Sequence, residues 1–186
     1  MTSQPNRFRF HLHCVAAFVA VGLAIPTPNT SALAEEGPVF SSTAADLGIV
    51  VADLERSAAF YTKALGCSEV NGFSVPAQFA TNIGLVNQQG LTVRVFTLGK
   101  GEAQTKLKIM AFPEAPGKKT NQDYIHSSIG FSYLTLHVND LNAAIERLKK
   151  AKVKLEGKTP VGLGGNNSLV LCRDPDGNFI ELIGPR

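Results

Sequence analysis

The histidines of this 186-residue chain limit the metal chemistry that it can carry out. Two of the four, His11 and His13, fall in an N-terminal segment with the pattern of a cleavable leader, which leaves His126 and His137. A zinc site of three histidines is therefore excluded after the leader, and a site of two histidines and one carboxylate would need both. His126 lies in a polar stretch typical of a linker. The residue types thus favour a site without a histidine-bound transition metal.

The leader has the three parts of a secretory signal peptide. Arg7 and Arg9 precede an apolar run over residues 15–25, Pro26 ends that run, and the sequence Ala-Leu-Ala closes at Ala34. The run is shorter than the roughly 20 apolar residues that a transmembrane helix needs. We therefore predict a signal peptide over residues 1–34, an N-terminal extension over residues 35–44, and export to the periplasm or beyond, without stable membrane insertion after cleavage. The alternative is a short N-terminal anchor.

Composition places the rest of the chain among globular proteins. Hydrophobic residues make up 44% and charged residues 18%, which excludes a disordered charged tail and a disulfide-dense miniprotein. The formal net charge is +3, and Arg7 and Arg9 of the leader supply two of these charges, so bulk charge gives no indication of nucleic-acid binding. Two cysteines follow the leader, Cys67 and Cys172, and their spacing leaves open whether they pair.

Two segments of the chain are alike and predict a duplicated fold. Residues 46–65 and 133–152 each read as a short apolar strand, an aspartate (Asp53 or Asp140) that can cap a helix, and an amphipathic helix. Further strands are predicted over residues 91–98, 105–112, 168–173 and 178–183, with a Pro-Gly turn at residues 174–177. We therefore predict an α+β fold in which a strand, a helix and further strands occur twice, over residues 45–112 and 129–186, joined by a linker at 113–128. The two sheets should curve around one shared cavity.

Short motifs at both ends of this region resemble one superfamily. The sequence GIVVADL at residues 48–54, Phe60-Tyr61, Leu65-Gly66, and RDPDGN at residues 173–178 resemble the vicinal oxygen chelate superfamily. Its members include glyoxalase I, extradiol dioxygenases, and the bleomycin- and fosfomycin-resistance proteins. The resemblance implies paired βαβββ modules that form a curved mixed sheet around one cavity, where the enzymes of the superfamily hold a divalent metal ion.

The resemblance also maps four metal positions onto this chain. They fall on Asp46, where His is usual, on Lys108, where Glu is usual, on Tyr133, where His is usual, and on Glu181, which keeps the usual residue. A register shift of two residues would put Lys106 at the second position. Asp46 and Glu181 could hold a hard cation. However, a dication about 4 Å from the Lys108 ammonium would be repelled by roughly 8 kcal/mol at an effective dielectric constant of 20. We therefore expect no metal cofactor, with Lys108 in the electrostatic role of the metal. The alternative is a divalent ion on Asp46 and Glu181.

Strand alternation extends the candidate site. His137 should share the face of Tyr133, and Lys106 the face of Lys108, whereas Leu47, Ile49 and Val51 should point toward the first helix. Arg94 is expected to face inward from a neighbouring strand. The glycine-rich residues 162–167 are interpreted as a flexible loop near the cavity mouth. Apolar walls with two acids and several bases suit a small polar or anionic organic molecule.

Two functions follow from this site. The first is an exported binding protein, similar to the resistance proteins that sequester a small molecule, with Asp46, Lys106, Lys108 and Arg94 as ligand-binding residues. The second is a metal-dependent lyase, isomerase or dioxygenase of the glyoxalase type, in which Glu181 is a metal ligand or general base and Tyr133 or His137 moves protons. The sequence leaves open whether the chain is an enzyme. The superfamily resemblance also implies a possible homodimer.

Overall fold

Residues 46–110 form a four-stranded mixed sheet with helices on both of its faces. The computed structural model describes residues 40–99 and 104–186. The spatial order of the strands is β1-β4-β3-β2; β1 runs parallel to β4 and the other pairs are antiparallel. The elements are β1 (Asp46–Val50), α1 (Leu54–Ala59) continued by a π-helical segment (Phe60–Leu65), β2 (Ser68–Val75), α2 (Ala77–Asn82), β3 (Leu91–Thr97) and β4 (Lys106–Met110).

Residues 133–185 repeat this arrangement. The strand order is β5-β8-β7-β6. As in the first sheet, the opening strand β5 runs parallel to its neighbour β8, and the other pairs are antiparallel. The predicted α+β fold of paired βαβββ modules is therefore confirmed. The elements are β5 (Tyr133–His137), α3 (Leu141–Lys150), β6 (Val161–Gly164), β7 (Asn167–Arg173) and β8 (Phe179–Pro185).

Both helices after the opening strands begin where the sequence predicts. Oδ1 of Asp53 accepts a hydrogen bond from the backbone N–H of Arg56 at 2.9 Å, and Oδ1 of Asp140 accepts one from Ala143 at 2.9 Å. Each carboxylate satisfies an N–H group that has no partner within its helix. These caps set the angle at which each helix leaves its strand and returns over the sheet.

The main core lies between these helices and one face of the sheets. Leu107 and Ile109 of β4 and Ile180 and Leu182 of β8 are buried on this face, together with the helical Leu141, Ile145 and Leu148. Leu47, Ile49 and Val51 also belong to this core, which confirms their predicted orientation. Cys67 and Cys172 are buried here as free thiols.

A smaller core lies on the opposite face of the first sheet. Ala80 of α2 packs against Leu91, Val93 and Val95 of β3. The sequence analysis did not predict α2, whose helix of six residues is too short to show a clear apolar period. This helix covers one end of the face that carries Asp46 and Lys108.

The glycine-rich residues 162–167 are ordered differently from the prediction. Gly162 pairs with Ser168 and Gly164 with Asn167, so that β6 and β7 form a hairpin rather than a flexible loop. Gly164 and Gly165 have φ angles of 99° and 55°, which glycine adopts readily at a tight turn. Glycine thus closes a hairpin here.

The N-terminal predictions lie outside the described residues. They are the signal peptide at residues 1–34 and the first part of the extension at 35–44. Within the described ranges, none of the helices has the length and apolar character needed to cross a membrane.

Candidate ligand-binding site

An ion pair joins the first two candidate positions. Lys108 Nζ lies 2.7 Å from Asp46 Oδ2, and the two side chains are 32% and 38% exposed. The hydrogen bond from Lys108 holds the pKa of Asp46 below its ordinary value, with a smaller contribution from the charge of Lys106. Lys106 is the in-register partner of Asp46 and shares its face of the sheet. This face therefore carries one carboxylate and two ammonium groups.

A hydrogen bond joins Glu181 to the opening strand of the second module. Thr135 and Glu181 are partners in the parallel β5–β8 pair, and Thr135 Oγ1 donates to Glu181 Oε2 at 2.6 Å. Tyr133 and His137 flank Thr135 on the same face of β5 and are both exposed. The orientation of His137 therefore follows the predicted alternation. Thr135 lies between the two side chains that the sequence analysis singled out.

A cavity of about 560 Å³ lies between the two opening strands. Asp46 lines it from β1 and Tyr133 from β5, while Tyr61, Phe131 and Phe179 supply aromatic surface. Its volume is in the range of small-molecule sites. Asp46 and Tyr133 thus line the same cavity. Lys108 forms an ion pair with Asp46, and Glu181 accepts a hydrogen bond from Thr135. These contacts form two pairs, one in each module.

The predicted inward orientation of Arg94 is wrong. Arg94 pairs with Ile109 and stands on the helix side of the first sheet, opposite to the face of Lys108. Its guanidinium donates to Glu55 at 2.8 Å and to Glu69 at 2.6 and 2.8 Å. Because successive residues of a strand point to opposite faces, an error of one residue in register moves the side chain to the other side. Arg94 therefore fastens α1 and β2 to β3 instead of lining the site.

Phe73 is a site residue that sequence reasoning missed. The Lys108 ammonium lies 6.0 Å from the centroid of its ring, and 47% of the residue is exposed. A bulge between Val70 and Phe73 turns both side chains to the Lys108 face. Gly72 lies in this bulge, where a Cβ atom would collide with the carbonyl oxygen of Val93. An isolated glycine in a strand is the signal that indicates such a bulge.

A buried hydrogen bond holds the modules together beside the cavity. The Tyr61 hydroxyl donates to Asp174 Oδ2 at 2.9 Å. The same carboxylate accepts from the backbone N–H groups of Asp176 and Asn178 and from the Asn178 amide. Burial, and then the charge of Asp174, raise the pKa of Tyr61, so the phenol stays protonated. The predicted turn at 174–177 therefore also positions the second module against the first.

The residues at the four superfamily positions do not fit a divalent cation. The ammonium of Lys108 already occupies one carboxylate oxygen of Asp46 at 2.7 Å. Glu181 is engaged by Thr135, and Tyr133 is a poor ligand when protonated. In the part of the chain that the structure describes, no three His, Cys, Asp or Glu side chains gather as a metal site. The arrangement of donors instead favours recognition by hydrogen bonds and by charge.

The chain matches a known protein family over most of its length. A model of the Glyoxalase/Bleomycin resistance protein/Dioxygenase superfamily matches residues 43–182. No curated protein sequence matches the chain.

Three solved structures illustrate the structural likeness. A glyoxalase family protein from Bacillus cereus superposes with a TM-score of 0.67 at 17% identity, covering 81% of this chain and 97% of its own. An antibiotic binding protein from a Streptomyces species has a TM-score of 0.50 at 23% identity, covering 78% and 97%. The trypanothione-dependent glyoxalase I of Leishmania major has a TM-score of 0.51 at 21% identity, covering 75% and 84%. At these identities the likeness establishes a shared fold.

Proposed function

The chain belongs to the Glyoxalase/Bleomycin resistance protein/Dioxygenase superfamily, and from that premise we propose that it binds a small polar or anionic organic molecule between its two modules without a resident metal ion. The observation that carries the proposal is the ion pair between Lys108 and Asp46. The superfamily resemblance assigns Lys108 to a position where the enzymes usually carry a glutamate that binds the metal, and the ion pair supports an ammonium group in that role. A ligand oxygen would then meet a protein cation instead of a metal ion.

The surroundings of Lys108 suit an organic anion. Phe73 lies beside the ammonium, and Phe131 and Phe179 line the cavity between β1 and β5. Aromatic surface can bury the carbon skeleton of a ligand, while a few polar groups orient it. Lys108 and Lys106 would attract its negative charge, and Tyr133 and His137 would supply hydrogen bonds.

A sequestering role is supported by the kind of protein that shares the fold. The Streptomyces structure is described as an antibiotic binding protein. Binding alone needs a cavity and complementary charge, and it does not need a metal centre or a proton-transfer pair. The ion pair and the aromatic walls of this chain meet that smaller requirement.

One observation favours catalysis as a second candidate function. Glu181 keeps the carboxylate at the fourth superfamily position and is held by Thr135 at 2.6 Å. In a glyoxalase-type lyase, isomerase or dioxygenase, this carboxylate would act as a metal ligand or general base, with Tyr133 or His137 moving protons. A metal ion bound at one per chain and lost in Glu181→Ala would favour this candidate.

Two further parts of the proposal concern the whole protein. We propose that the chain is exported and cleaved after Ala34, and N-terminal sequencing of the protein recovered from the cell envelope or medium tests this. A start at Glu35 is expected, and an intact Met1 would contradict it.

We also propose a homodimer, which sedimentation equilibrium tests directly. For the uncleaved chain, a single species of about 20 kDa would contradict the dimer.

Thermal-shift measurements with chosen anions test the ligand class. Malonate, succinate and tartrate are added to the wild type, to Lys108→Ala, and to Lys118→Ala as a control in the exposed linker. An anion at 100 times its Kd stabilises the folded state by about 2.7 kcal/mol. At least one anion should raise the Tm of the wild type and the Lys118 variant, but not that of the Lys108 variant. Equal shifts in all three proteins would contradict a site at Lys108.

A further inference from the structure

A second cavity lies on the other side of the sheets from Asp46 and Lys108. It measures about 600 Å³ and lies where the π-helical segment Phe60–Leu65 meets the end of α3 and the turn at 174–177. The helices cover the face formed by Leu107 and Ile109, whereas Lys108 points to the opposite face. We call this cavity the helix-side cleft. It is therefore separate from the site of the proposed function.

The cleft combines an apolar interior with an excess of positive charge. Its walls include the side chains of Phe60, Ala64, Ala151, Val153 and Pro175. Six of its lining residues carry a positive charge and two carry a carboxylate.

Both carboxylates of the cleft are already engaged by the protein. Asp174 is 5% exposed and accepts four hydrogen bonds, including the one from Tyr61. Glu156 lies 3.7 Å from the guanidinium of Arg173. Both carboxylates of the cleft therefore interact with protein groups, and the lining as a whole carries more positive than negative side chains.

Several of the cations have no such partner. Across residues 40–99 and 104–186, no carboxylate oxygen lies within 4 Å of the ammonium groups of Lys63, Lys150 or Lys154. Lys149, one residue before Lys150, is instead paired with Glu146 at 2.7 Å and does not line the cleft. Lys63, Lys150 and Lys154 therefore line the cleft without an ion pair among the described residues, and Lys149 provides a matched residue outside the cleft.

The backbone that lines the cleft is a second indication of a ligand-binding site. The π-helical segment forms part of the wall, and single π-helical turns occur frequently at functional sites. Arg147 donates to the carbonyl oxygen of Thr62 within this segment at 3.2 Å. Gly66 makes this possible, because it has φ +86° and a Cβ atom there would lie 2.6 Å from Arg147 Cζ. The leucine-glycine step at residues 65–66 therefore places a guanidinium at the cleft.

We propose that the helix-side cleft binds an amphipathic organic anion, with an aromatic or aliphatic body and one carboxylate, sulfonate or phosphate group. The body would contact Phe60, Val153 and Pro175, and the acidic group would lie among Lys63, Lys150 and Lys154. Burial of the apolar body provides most of the affinity. The lysines favour the anion over its neutral analogue, because a negative charge about 4 Å from an ammonium group gains a Coulomb attraction that the neutral analogue lacks.

Two fluorescent probes with the same ring system test both parts of the proposal. One is 1-anilinonaphthalene-8-sulfonate, and the other is N-phenyl-1-naphthylamine, which lacks the sulfonate. The full chain should bind the sulfonate with a Kd at least tenfold below that of the amine. Lys150→Ala/Lys154→Ala should weaken sulfonate binding about tenfold, whereas Lys149→Ala should leave it unchanged. Unchanged sulfonate binding in the double variant, or equal affinity for the two probes, would overturn the proposal.

Two more variants identify the cavity that holds the probe. Ala151→Trp fills the cleft and should abolish sulfonate binding, whereas Lys108→Ala should preserve it. The reverse result would assign the probe to the cavity between β1 and β5 and overturn this proposal without affecting the proposed function. Unfolding curves of each variant establish that it is folded at the temperature of the titration.

Discussion

Lys108 reaches Asp46 diagonally across the parallel pair of β1 and β4. The Nζ and Oδ2 atoms are 2.7 Å apart, although the in-register partner of Asp46 is Lys106 and that of Lys108 is Gly48. Gly48 has no side chain, so β1 itself places nothing between the lysine and Asp46, and Met110 Cε lies 3.7 Å from the position of a Cβ atom there. The contact balances one positive and one negative charge, and the proposed function depends on it.

Removing the ammonium should return the pKa of Asp46 toward its ordinary value of 3.8. The hydrogen bond from Lys108 is the largest cause of the lowered pKa, so Lys108→Met should raise it more than Lys106→Met does. A lowered pKa stabilises the fold at higher pH, and this stabilisation is lost as the pH falls below about 4. Carboxyl carbon NMR of Asp46 between pH 2 and 6 measures the change. Equal pKa values in the wild type and the Lys108 variant would contradict the ion pair.

The bond between Tyr61 and Asp174 should contribute measurably to stability. Tyr61→Phe removes one of the four hydrogen bonds to the carboxylate, and we expect it to lower the free energy of unfolding by about 1–2 kcal/mol. Asp174→Ala leaves the Tyr61 hydroxyl and the N–H groups of Asp176 and Asn178 without their acceptor, and about 3 kcal/mol or more should be lost. Urea unfolding measures both changes.

Tyr124→Phe is the control for the loss of a phenol oxygen. Tyr124 is 66% exposed, and its substitution should change stability by less than about 0.5 kcal/mol. A loss in Tyr61→Phe no larger than this would mean that the bond between the modules does not stabilise the fold.

The two core cysteines should be unreactive in the folded protein. Burial raises the pKa of Cys67 to about 11 and that of Cys172 to about 12, from 9.0. Few thiolates therefore form at pH 8, and iodoacetamide should label both residues far more slowly than in guanidinium chloride. Because the folded-state pKa values are raised, stability is retained below pH 9 and falls as the pH rises above it. Peptide mass spectrometry identifies each labelled cysteine, and equal labelling in the folded and unfolded states would contradict their burial.

A methyl group should be tolerated at one strand glycine and not at another. A Cβ atom at Gly184 of β8 would collide with the backbone carbonyl of Val138, whereas one at Gly162 of β6 would have no atom within 4 Å. We expect Gly184→Ala to lower the free energy of unfolding by about 2 kcal/mol or more and Gly162→Ala by less than about 0.5 kcal/mol. Similar losses in the two variants, measured by urea unfolding, would show that the β5–β8 end is less tightly packed than described.

The features that sequence predicts correctly are those that depend on near neighbours. Asp53 and Asp140 act through N–H groups three residues away, and the orientation of Leu47 and Ile49 follows from strand alternation within β1. The duplicated strand–aspartate–helix pattern therefore predicts how each module opens, whereas β2 and β6 were expected only from the superfamily resemblance.

Features that depend on strand register are harder to predict. Arg94 lies on the helix face because of its pairing with Ile109, and no residue near Arg94 in sequence indicates that pairing. Phe73 joins the Lys108 face only because of the bulge at Gly72. The helix-side cleft combines residues from α1, α3 and the turn at 174–177, which meet only in the folded chain.

The metal content of the purified protein tests most directly whether Lys108 takes the place of a metal ion. The full chain is incubated with zinc, nickel, manganese and iron(II) salts, passed through a desalting column and examined by elemental mass spectrometry. We expect less than about 0.1 metal ion per chain, in the wild type and in Glu181→Ala alike, because the Lys108 ammonium occupies Asp46. One metal ion per chain in the wild type, lost in Glu181→Ala, would contradict this role for Lys108.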